Sequence, residues 1–217
     1  MEKKPPKKKT LLLDMYGVII RESKGYFIPY TFAHFETKEH DRLRRAFREE
    51  NLFTRAGNGE LSSDEFLSLL GYPDPPETMR DYLTNYLTLD PDFLQFAECH
   101  YQQFNFVLLS NDVKEWSRYL FAFHGLQKYF KDTIVSGEVH MRKPGNRIFV
   151  YSLRHLQCRP RECIFVDNSV RNLNAAQKAG LETVLFNRDH EAYSGNIVNN
   201  FQELGSFLKE HVEVLKL

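Results

Sequence analysis

The feature that most constrains this chain is a set of short, continuously apolar runs, each ending in polar residues and followed by a segment with helical periodicity. The first run, 11–13, ends at Asp14, and later runs end at Ser110 and Asp167. Continuous rather than alternating hydrophobicity indicates strands buried on both faces. The segments that follow, such as 113–130, predict helices. Strands that alternate with helices in this way predict an α/β fold with a parallel sheet.

A long segment, residues 21–88, separates the first apolar run from the second. A crossover between parallel strands needs only about a dozen residues, so this segment is an insertion. It contains several helical patterns, the clearest at 63–70 after a Ser-Ser-Asp-Glu start that suits a helix cap. We therefore expect a core domain made of residues 1–20 and 89–217, with a small helical domain inserted at 21–88.

Composition and charge restrict the classes of partner. The chain of 217 residues has 29 basic and 29 acidic side chains, so no net field draws it to nucleic acid or to an anionic membrane. No apolar stretch approaches the roughly 18 residues of a membrane-spanning helix. Three cysteines cannot all pair, which favours free thiols in a reducing cytosol. We expect a cytoplasmic protein without nucleic-acid or membrane partners, whose oligomeric state the sequence does not indicate. The lysine-rich first ten residues are interpreted as a solvated terminus.

Ligands of open parallel sheets bind beyond the carboxyl ends of the strands, and polar residues of this chain cluster there. Taken singly, each of them would suit a turn, a helix cap or a surface lysine. Together, two carboxylates beside one lysine predict a divalent cation such as Mg²⁺, and a hydroxyl with amides at a helix start can hold a phosphate. The set therefore predicts phosphoryl transfer to a carboxylate. Its members are Asp14, Ser110, Asn111, Lys143, Asp167 and Asn168.

The same segments resemble the four motifs of the haloacid dehalogenase-like (HAD) hydrolase superfamily. Residues 12–18 are similar to the first motif, 108–111 to the second, 142–144 to the third and 165–176 to the fourth. The resemblance covers the chain after Thr10. It is strongest to the branch containing sugar-1-phosphate phosphatases and the amino-terminal phosphatase domain of soluble epoxide hydrolases. It implies a Rossmann-like core with the inserted helical cap of subfamily I.

The resemblance also implies a metal site. Asp14 would be the nucleophile and a ligand of Mg²⁺, and the main-chain carbonyl of Tyr16 would supply a second metal oxygen. Asp167 would bind the same ion, with Asn168 beside it.

The phosphate site implied by the resemblance involves the second and third motifs. Ser110 and the amide of Asn111 would hold the transferring phosphoryl group, and Lys143 would offset its charge and position Asp14. The implied activity is Mg²⁺-dependent hydrolysis of a small phosphomonoester through an aspartyl-phosphate at Asp14.

Tyr16 departs from the pattern of the phosphatases that the chain resembles. Those enzymes usually carry an acid/base Asp two residues after the nucleophile, and a phenol, which ionises near pH 10, is a poor replacement. Loss of acid–base help predicts turnover slower by roughly 10²- to 10⁴-fold. Three explanations are open. The chain is a phosphatase for substrates with a better leaving group, such as an anomeric or acyl phosphate, or a 2-haloacid dehalogenase-type hydrolase, in which Tyr stands at this position, or a catalytically decayed binding module. Asp167 argues against the dehalogenase, because a further carboxylate would repel the carboxylate of a haloacid.

Overall fold

The computed structural model describes residues 8–23 and 26–213 of the chain. The ends of the expected core domain, 1–7 and 214–217, and most of the lysine-rich start therefore lie outside the described residues. Six strands form one sheet, all of whose pairings are parallel. The strands are β1 Thr10–Leu13, β2 Asn105–Ser110, β3 Phe130–Val135, β4 Cys163–Asp167, β5 Glu182–Phe186 and β6 Asn196–Val198. Their order across the sheet is β3-β2-β1-β4-β5-β6.

Helices cover the sheet and fill the insertion. Those between β1 and β2 are α1 Phe27–His34, α2 His40–Arg48, α3 Leu52–Gly57, α4 Ser63–Leu70, α5 Pro75–Asn85 and α6 Phe93–His100. Those after β2 are α7 Lys114–Phe123, α8 Ser136–Val139, α9 Asn146–His155, α10 Val170–Lys178 and α11 Phe201–Glu213. Short 3₁₀ turns lie at Thr37–Glu39, Leu126–Lys128 and Pro160–Glu162. None of the helices in the described part of the chain is both long enough and apolar enough to cross a membrane.

The centre of the sheet brings three strand ends together. Leu13, the last residue of β1, lies opposite Leu108 of β2 and Val166 of β4. The leucines of β1 have no exposed surface, as expected for a strand covered on both faces. Asp14 therefore emerges between the carboxyl ends of β2 and β4. The predicted α/β fold with a parallel sheet is confirmed.

The prediction of one helix over 113–130 is wrong. Helix α7 ends at Phe123, and the chain turns at Gly125, whose φ of +63° is easily adopted only by glycine. A 3₁₀ turn follows, and β3 begins at Phe130. The aromatic run looks helical in the sequence, but the ring of Phe130 packs on Phe106 of β2, so tertiary packing makes it a strand residue.

The insertion is helical, and its packing joins it to the sheet domain. The start of α4 is as predicted: the Ser62 hydroxyl accepts from the main-chain N of Glu65, whose carboxylate accepts from the main-chain N of Ser62. Phe27 of α1 lies with its ring centroid 5.0 Å from that of Tyr82 and 4.9 Å from that of Trp116, which belongs to α7. The division into a core of residues 1–20 and 89–217 and a cap of residues 21–88 stays a prediction.

Candidate functional site

A cavity of about 350 Å³ opens at the carboxyl ends of β1, β2 and β4. The sequence-predicted residues that line it are Asp14, Tyr16, Asn111, Lys143 and Asn168. The other two predicted residues, Ser110 and Asp167, are fully buried at strand ends and do not reach the cavity surface. The structure therefore brings all the predicted residues to one end of the sheet. Five of them line the cavity, and the other two are buried and do not reach its surface.

Lys143 lies between the two predicted carboxylates. Its Nζ is 2.9 Å from Oδ1 of Asp14 and 2.7 Å from Oδ2 of Asp167. Burial by itself lowers the pKa of the Lys143 ammonium, but the charges of Asp14 and Asp167 outweigh it and the net shift is upward. Burial raises the pKa of the Asp14 carboxyl, the contact with Lys143 opposes this, and the Asp167 charge adds to it. The cation that joins the carboxylates is thus the ammonium of Lys143.

The hydrogen bonds of Asp167 bear on its predicted role as a metal ligand. Its Oδ1 accepts from the main-chain N of Ser169 at 2.7 Å, and Nδ2 of Asn172 lies 3.2 Å from Oδ1 and 3.1 Å from Oδ2. With Lys143 also on Oδ2, these contacts take up the roughly four acceptor positions of a carboxylate. Asp167 is therefore placed to anchor Lys143, and its role as a ligand of Mg²⁺ stays a prediction.

The two oxygens of Asp14 have different surroundings. Oδ1 accepts from the main-chain N of Met15 at 2.8 Å and contacts Lys143. Oδ2 accepts no hydrogen bond from any residue that the structure describes, and Asp14 lines the cavity. One oxygen is therefore fixed and the other is available to a ligand.

Gly17 allows Asn168 to approach the loop after β1. Gly17 has a φ of +77°, and a Cβ atom on it would lie 2.3 Å from Nδ2 of Asn168. The same Nδ2 donates to Oδ2 of Asp189 at 3.1 Å, which directs the amide. Within residues 8–23 and 26–213, Oδ1 of Asn168 has no hydrogen-bond donor, so this oxygen also remains available.

The predicted phosphate-binding residues have distinct environments. The Ser110 hydroxyl is fully buried and has no hydrogen-bond partner among the described residues. The Asn111 side chain makes two 2.8 Å hydrogen bonds to the main chain of Lys143, donating to its carbonyl and accepting from its N–H. Asn111 thereby fixes the loop that carries Lys143 against the end of β2. An unpartnered buried hydroxyl suits a site for an acceptor-rich anion.

The hydroxyl of Tyr16 donates to Oδ1 of Asp112 at 3.1 Å, across 96 positions of sequence. Asp112 is buried and also accepts from the hydroxyl of Ser117 and the main-chain N of Val113. Burial raises the pKa of the Asp112 carboxyl to about 7, against the opposing effect of its hydrogen bonds. Burial also raises the pKa of Tyr16 well above its ordinary value, and the neighbouring Asp112 charge adds to the effect. Tyr16 is therefore a phenol that keeps its proton.

Sequence reasoning missed several residues of the cavity. Asp112, Trp116 and Glu22 are not among the residues predicted from the sequence, and Arg142 enters there only as part of the third motif, yet all four line the cavity. The guanidinium of Arg142 has no hydrogen bond or ion pair with the described residues. Its place beside Lys143 was the one signal that could have identified it. By contrast, the arginines of α2 do not line the cavity.

The oxygens that remain available fit a small, hard cation. They are Oδ1 of Asn168 and the main-chain carbonyl of Tyr16, which accepts no hydrogen bond within the described residues, together with the carboxylate of Asp14. Mg²⁺ takes oxygen ligands and usually keeps several waters, so three protein oxygens are enough for it. No group of three or more His, Cys, Asp or Glu side chains suited to a metal occurs in the part of the chain that the structure describes. The donor set thus fits Mg²⁺, with Asp167 as a further predicted ligand.

Comparison with known families identifies one match. A family model described as haloacid dehalogenase-like hydrolase matches residues 8–180, which is most of the chain. Among curated proteins, a glyceraldehyde 3-phosphate phosphatase from Methanopyrus kandleri is 27% identical over 113 residues, covering 52% of this chain and 47% of that protein. The chain spans about half the length of the curated relatives it matches.

Solved structures share the fold. A HAD phosphatase from Thermococcus onnurineus superposes with a TM-score of 0.71 at 23% identity, covering 92% of this chain and 97% of that one. A HAD-family enzyme from Bacteroides thetaiotaomicron, in complex with magnesium and inorganic phosphate, superposes with a TM-score of 0.70 at 20% identity, covering 87% of this chain and 98% of that one. At these identities the likeness establishes the common architecture.

Proposed function

The chain belongs to the haloacid dehalogenase-like hydrolase family, and from that premise we propose that it is a Mg²⁺-dependent phosphatase that hydrolyses a small phosphomonoester through a phosphoryl group carried on Asp14. The observation that carries the proposal is the asymmetry of Asp14. Its Oδ1 is held by Lys143 and by the main-chain N of Met15, while Oδ2 is available in the cavity. A carboxylate fixed at one oxygen presents the other as an oriented nucleophile.

In the proposed reaction, Oδ2 of Asp14 attacks phosphorus and forms a P–O bond while the bond from phosphorus to the substrate oxygen breaks, and the departing alkoxide takes a proton from solvent. Water then attacks the same phosphorus and gives a proton to solvent, the bond to Asp14 breaks, and inorganic phosphate leaves. Lys143, next to Asp14, offsets charge on the transferring group, and the buried hydroxyl of Ser110 is available to donate to it. We also assign the unpaired guanidinium of Arg142 to the phosphate, since it lines the cavity beside Lys143.

The metal would be held by Asp14, the carbonyl of Tyr16 and the amide oxygen of Asn168. When bound, Mg²⁺ would neutralise charge on the phosphoryl oxygens. Asp167, which also anchors Lys143 at 2.7 Å, stays the fourth predicted ligand of the ion. A magnesium- and phosphate-bound relative of the same fold supports this assignment by analogy.

Slow turnover is part of the proposal, because Tyr16 is a hydrogen-bond donor to Asp112 and its pKa lies well above the ordinary value. Such a phenol cannot accept a proton from the attacking water near neutral pH. The small phosphorylated substrate, the absence of nucleic-acid and membrane partners and a cytoplasmic location remain predictions.

The test uses p-nitrophenyl phosphate, whose leaving group needs little protonation. With Mg²⁺ we expect a burst of p-nitrophenol, matching one equivalent of enzyme, followed by slow steady release, and neither phase in Asp14→Asn. An exposed acidic residue outside the cavity, Glu50→Gln, is the matched control and should keep both phases. No release by the wild-type protein, or release that survives Asp14→Asn, would rule out the proposal.

The dehalogenase alternative keeps one supporting observation. The available oxygen of Asp14 and the protonated Tyr16 would equally suit attack on carbon, which requires no metal. Metal-independent chloride release from 2-chloropropionate, lost in Asp14→Asn, would establish that activity in place of phosphate hydrolysis. Absence of both activities would leave the binding module.

A further inference from the structure

One wall of the cavity is aromatic. It is formed by residues from the insertion and from α7: Tyr26, Phe53, Tyr82 and Trp116. The rings of Phe53 and Trp116 have centroids 5.9 Å apart, and those of Tyr82 and Trp116 are 5.4 Å apart, so these three rings form a continuous surface. This aromatic wall lines the same cavity as Asp14 and is available to the organic group of a bound phosphomonoester.

This aromatic wall presents mostly ring surface. Its polar side-chain atoms are the hydroxyls of Tyr26 and Tyr82 and Nε1 of Trp116, which already donates to the hydroxyl of Ser63 at 2.8 Å. A polyhydroxylated body would bury little apolar surface on these rings. An apolar or aromatic body buries more, which contributes roughly 25 cal/mol for each Å².

Glu22 adds a charge to the same wall. Its Oε2 accepts from the main-chain N of Thr88 at 2.7 Å, and no basic side chain pairs with it in the part of the chain that the structure describes. It lines the cavity together with Asp112, while the basic residues of the cavity, Arg142 and Lys143, are adjacent in the loop of the third motif. The lining of the cavity thus combines the basic pair of the third motif with the carboxylate of Glu22.

We propose that the cavity selects a phosphomonoester whose organic body is aromatic or otherwise apolar and carries no second acidic group, with Glu22 as the residue that rejects anionic bodies. This inference rests on the proposed phosphatase function and names its substrate class. A second anion would meet the uncompensated charge of Glu22 in a partly desolvated site, whereas a neutral or cationic body would not.

Non-hydrolysable benzylphosphonates measure binding without chemistry. Three compounds are compared, which carry a methyl, a carboxylate or an aminomethyl group at the 4-position of the ring. Their inhibition constants are measured against p-nitrophenyl phosphate with Mg²⁺. We expect the methyl and aminomethyl compounds to bind at least about tenfold more tightly than the carboxylate, a difference of roughly 1.4 kcal/mol. Glycerol 3-phosphate, a polyol of similar size, should bind more weakly than the methyl compound.

The variant Glu22→Gln keeps an acceptor for the main-chain N of Thr88 and removes the charge. It should reduce the ratio of the inhibition constants of the carboxylate and aminomethyl compounds by about tenfold. The solvated control Glu50→Gln should leave this ratio unchanged. Equal binding of all three compounds by the wild-type protein, or preference for the carboxylate, would overturn the inference while leaving the phosphatase intact. Failure of p-nitrophenyl phosphate hydrolysis itself would instead remove the proposed function, and this inference with it.

Discussion

Lys143 shows how one side chain organises the cavity. Its ammonium is buried because two carboxylates, Asp14 and Asp167, are positioned to receive it. A buried lysine without partners would lose its proton, but here the ion pairs keep its pKa raised. Asp167, which does not reach the cavity, is fully hydrogen-bonded and anchors Lys143. Asp14 keeps one oxygen available and is the reactive group. This division follows from contacts, since the two residues are of the same type.

Gly17 gives a prediction at the same scale. The change Gly17→Ala should destabilise the protein by about 1–3 kcal/mol, because the new Cβ would meet the Asn168 amide and the φ of +77° is strained for alanine. Urea unfolding measures the loss. The control is Gly57→Ala in α3, where a Cβ meets nothing within 4 Å and alanine should be neutral or stabilising. Equal effects of the two changes would contradict this explanation.

At the scale of elements, the sheet and its loops determine which side chains meet. Strand β2 leads through Ser110 into the loop that carries Asp112, and the loop after β1 carries Tyr16. The parallel register places both loops at one edge, where Tyr16 donates to Asp112. Helix α7 begins directly after this contact, and its residue Ser117 also donates to Asp112.

The buried Asp112 predicts pH-dependent stability. Its folded-state pKa of about 7 lies above the ordinary value, so folding favours the protonated form. The associated stability is present below about pH 4 and is lost as the pH rises through 7, at about 1.4 kcal/mol per pKa unit. In Asp112→Asn this loss should disappear, so the unfolding free energy of the variant should fall less between pH 5 and 8 than that of wild type. Asp14 titrates in both proteins and cancels in the comparison. Parallel pH profiles would refute the assignment.

At the scale of the whole molecule, the insertion and the sheet domain share contacts at several places. The aromatic cluster around Phe27 includes Trp116 of α7. On the other side of α3, the hydroxyl of Ser136 donates to the carbonyl of Gly57, and Nδ1 of His140 lies 2.8 Å from the carbonyl of Asn58. Shared packing of this kind couples two units of a chain.

These contacts predict that the predicted cap and core unfold together. The chain has a single tryptophan, Trp116, which lies between the helices of the insertion and the sheet domain. Its fluorescence should therefore follow the same urea transition as far-UV circular dichroism, which reports mainly the helices. A fluorescence midpoint at lower urea than the circular dichroism midpoint would show that the insertion separates first.

The sequence by itself determined the fold class, the family and the residues that follow each strand. A strand such as 11–13 can be recognised in the sequence because burial on both faces demands continuous hydrophobicity. Ligands bind beyond the carboxyl ends of such strands, and this rule identifies Asp14, Ser110 and Asp167 without coordinates. The helix predicted over 113–130 failed for a related reason: short apolar stretches fit a helix and a buried strand equally, and only packing of Phe130 on the sheet distinguishes them.

The tertiary structure decided which of these residues are free. Three findings depend on contacts between distant segments of the chain. Asp167 accepts hydrogen bonds from Lys143 and Asn172, Tyr16 donates to Asp112, and Glu22 has no basic partner in the described chain. A local pattern fixes where a side chain emerges from its strand. Its hydrogen bonds and its pKa depend on groups that reach it from elsewhere in the chain, so these properties become known only once the chain has folded.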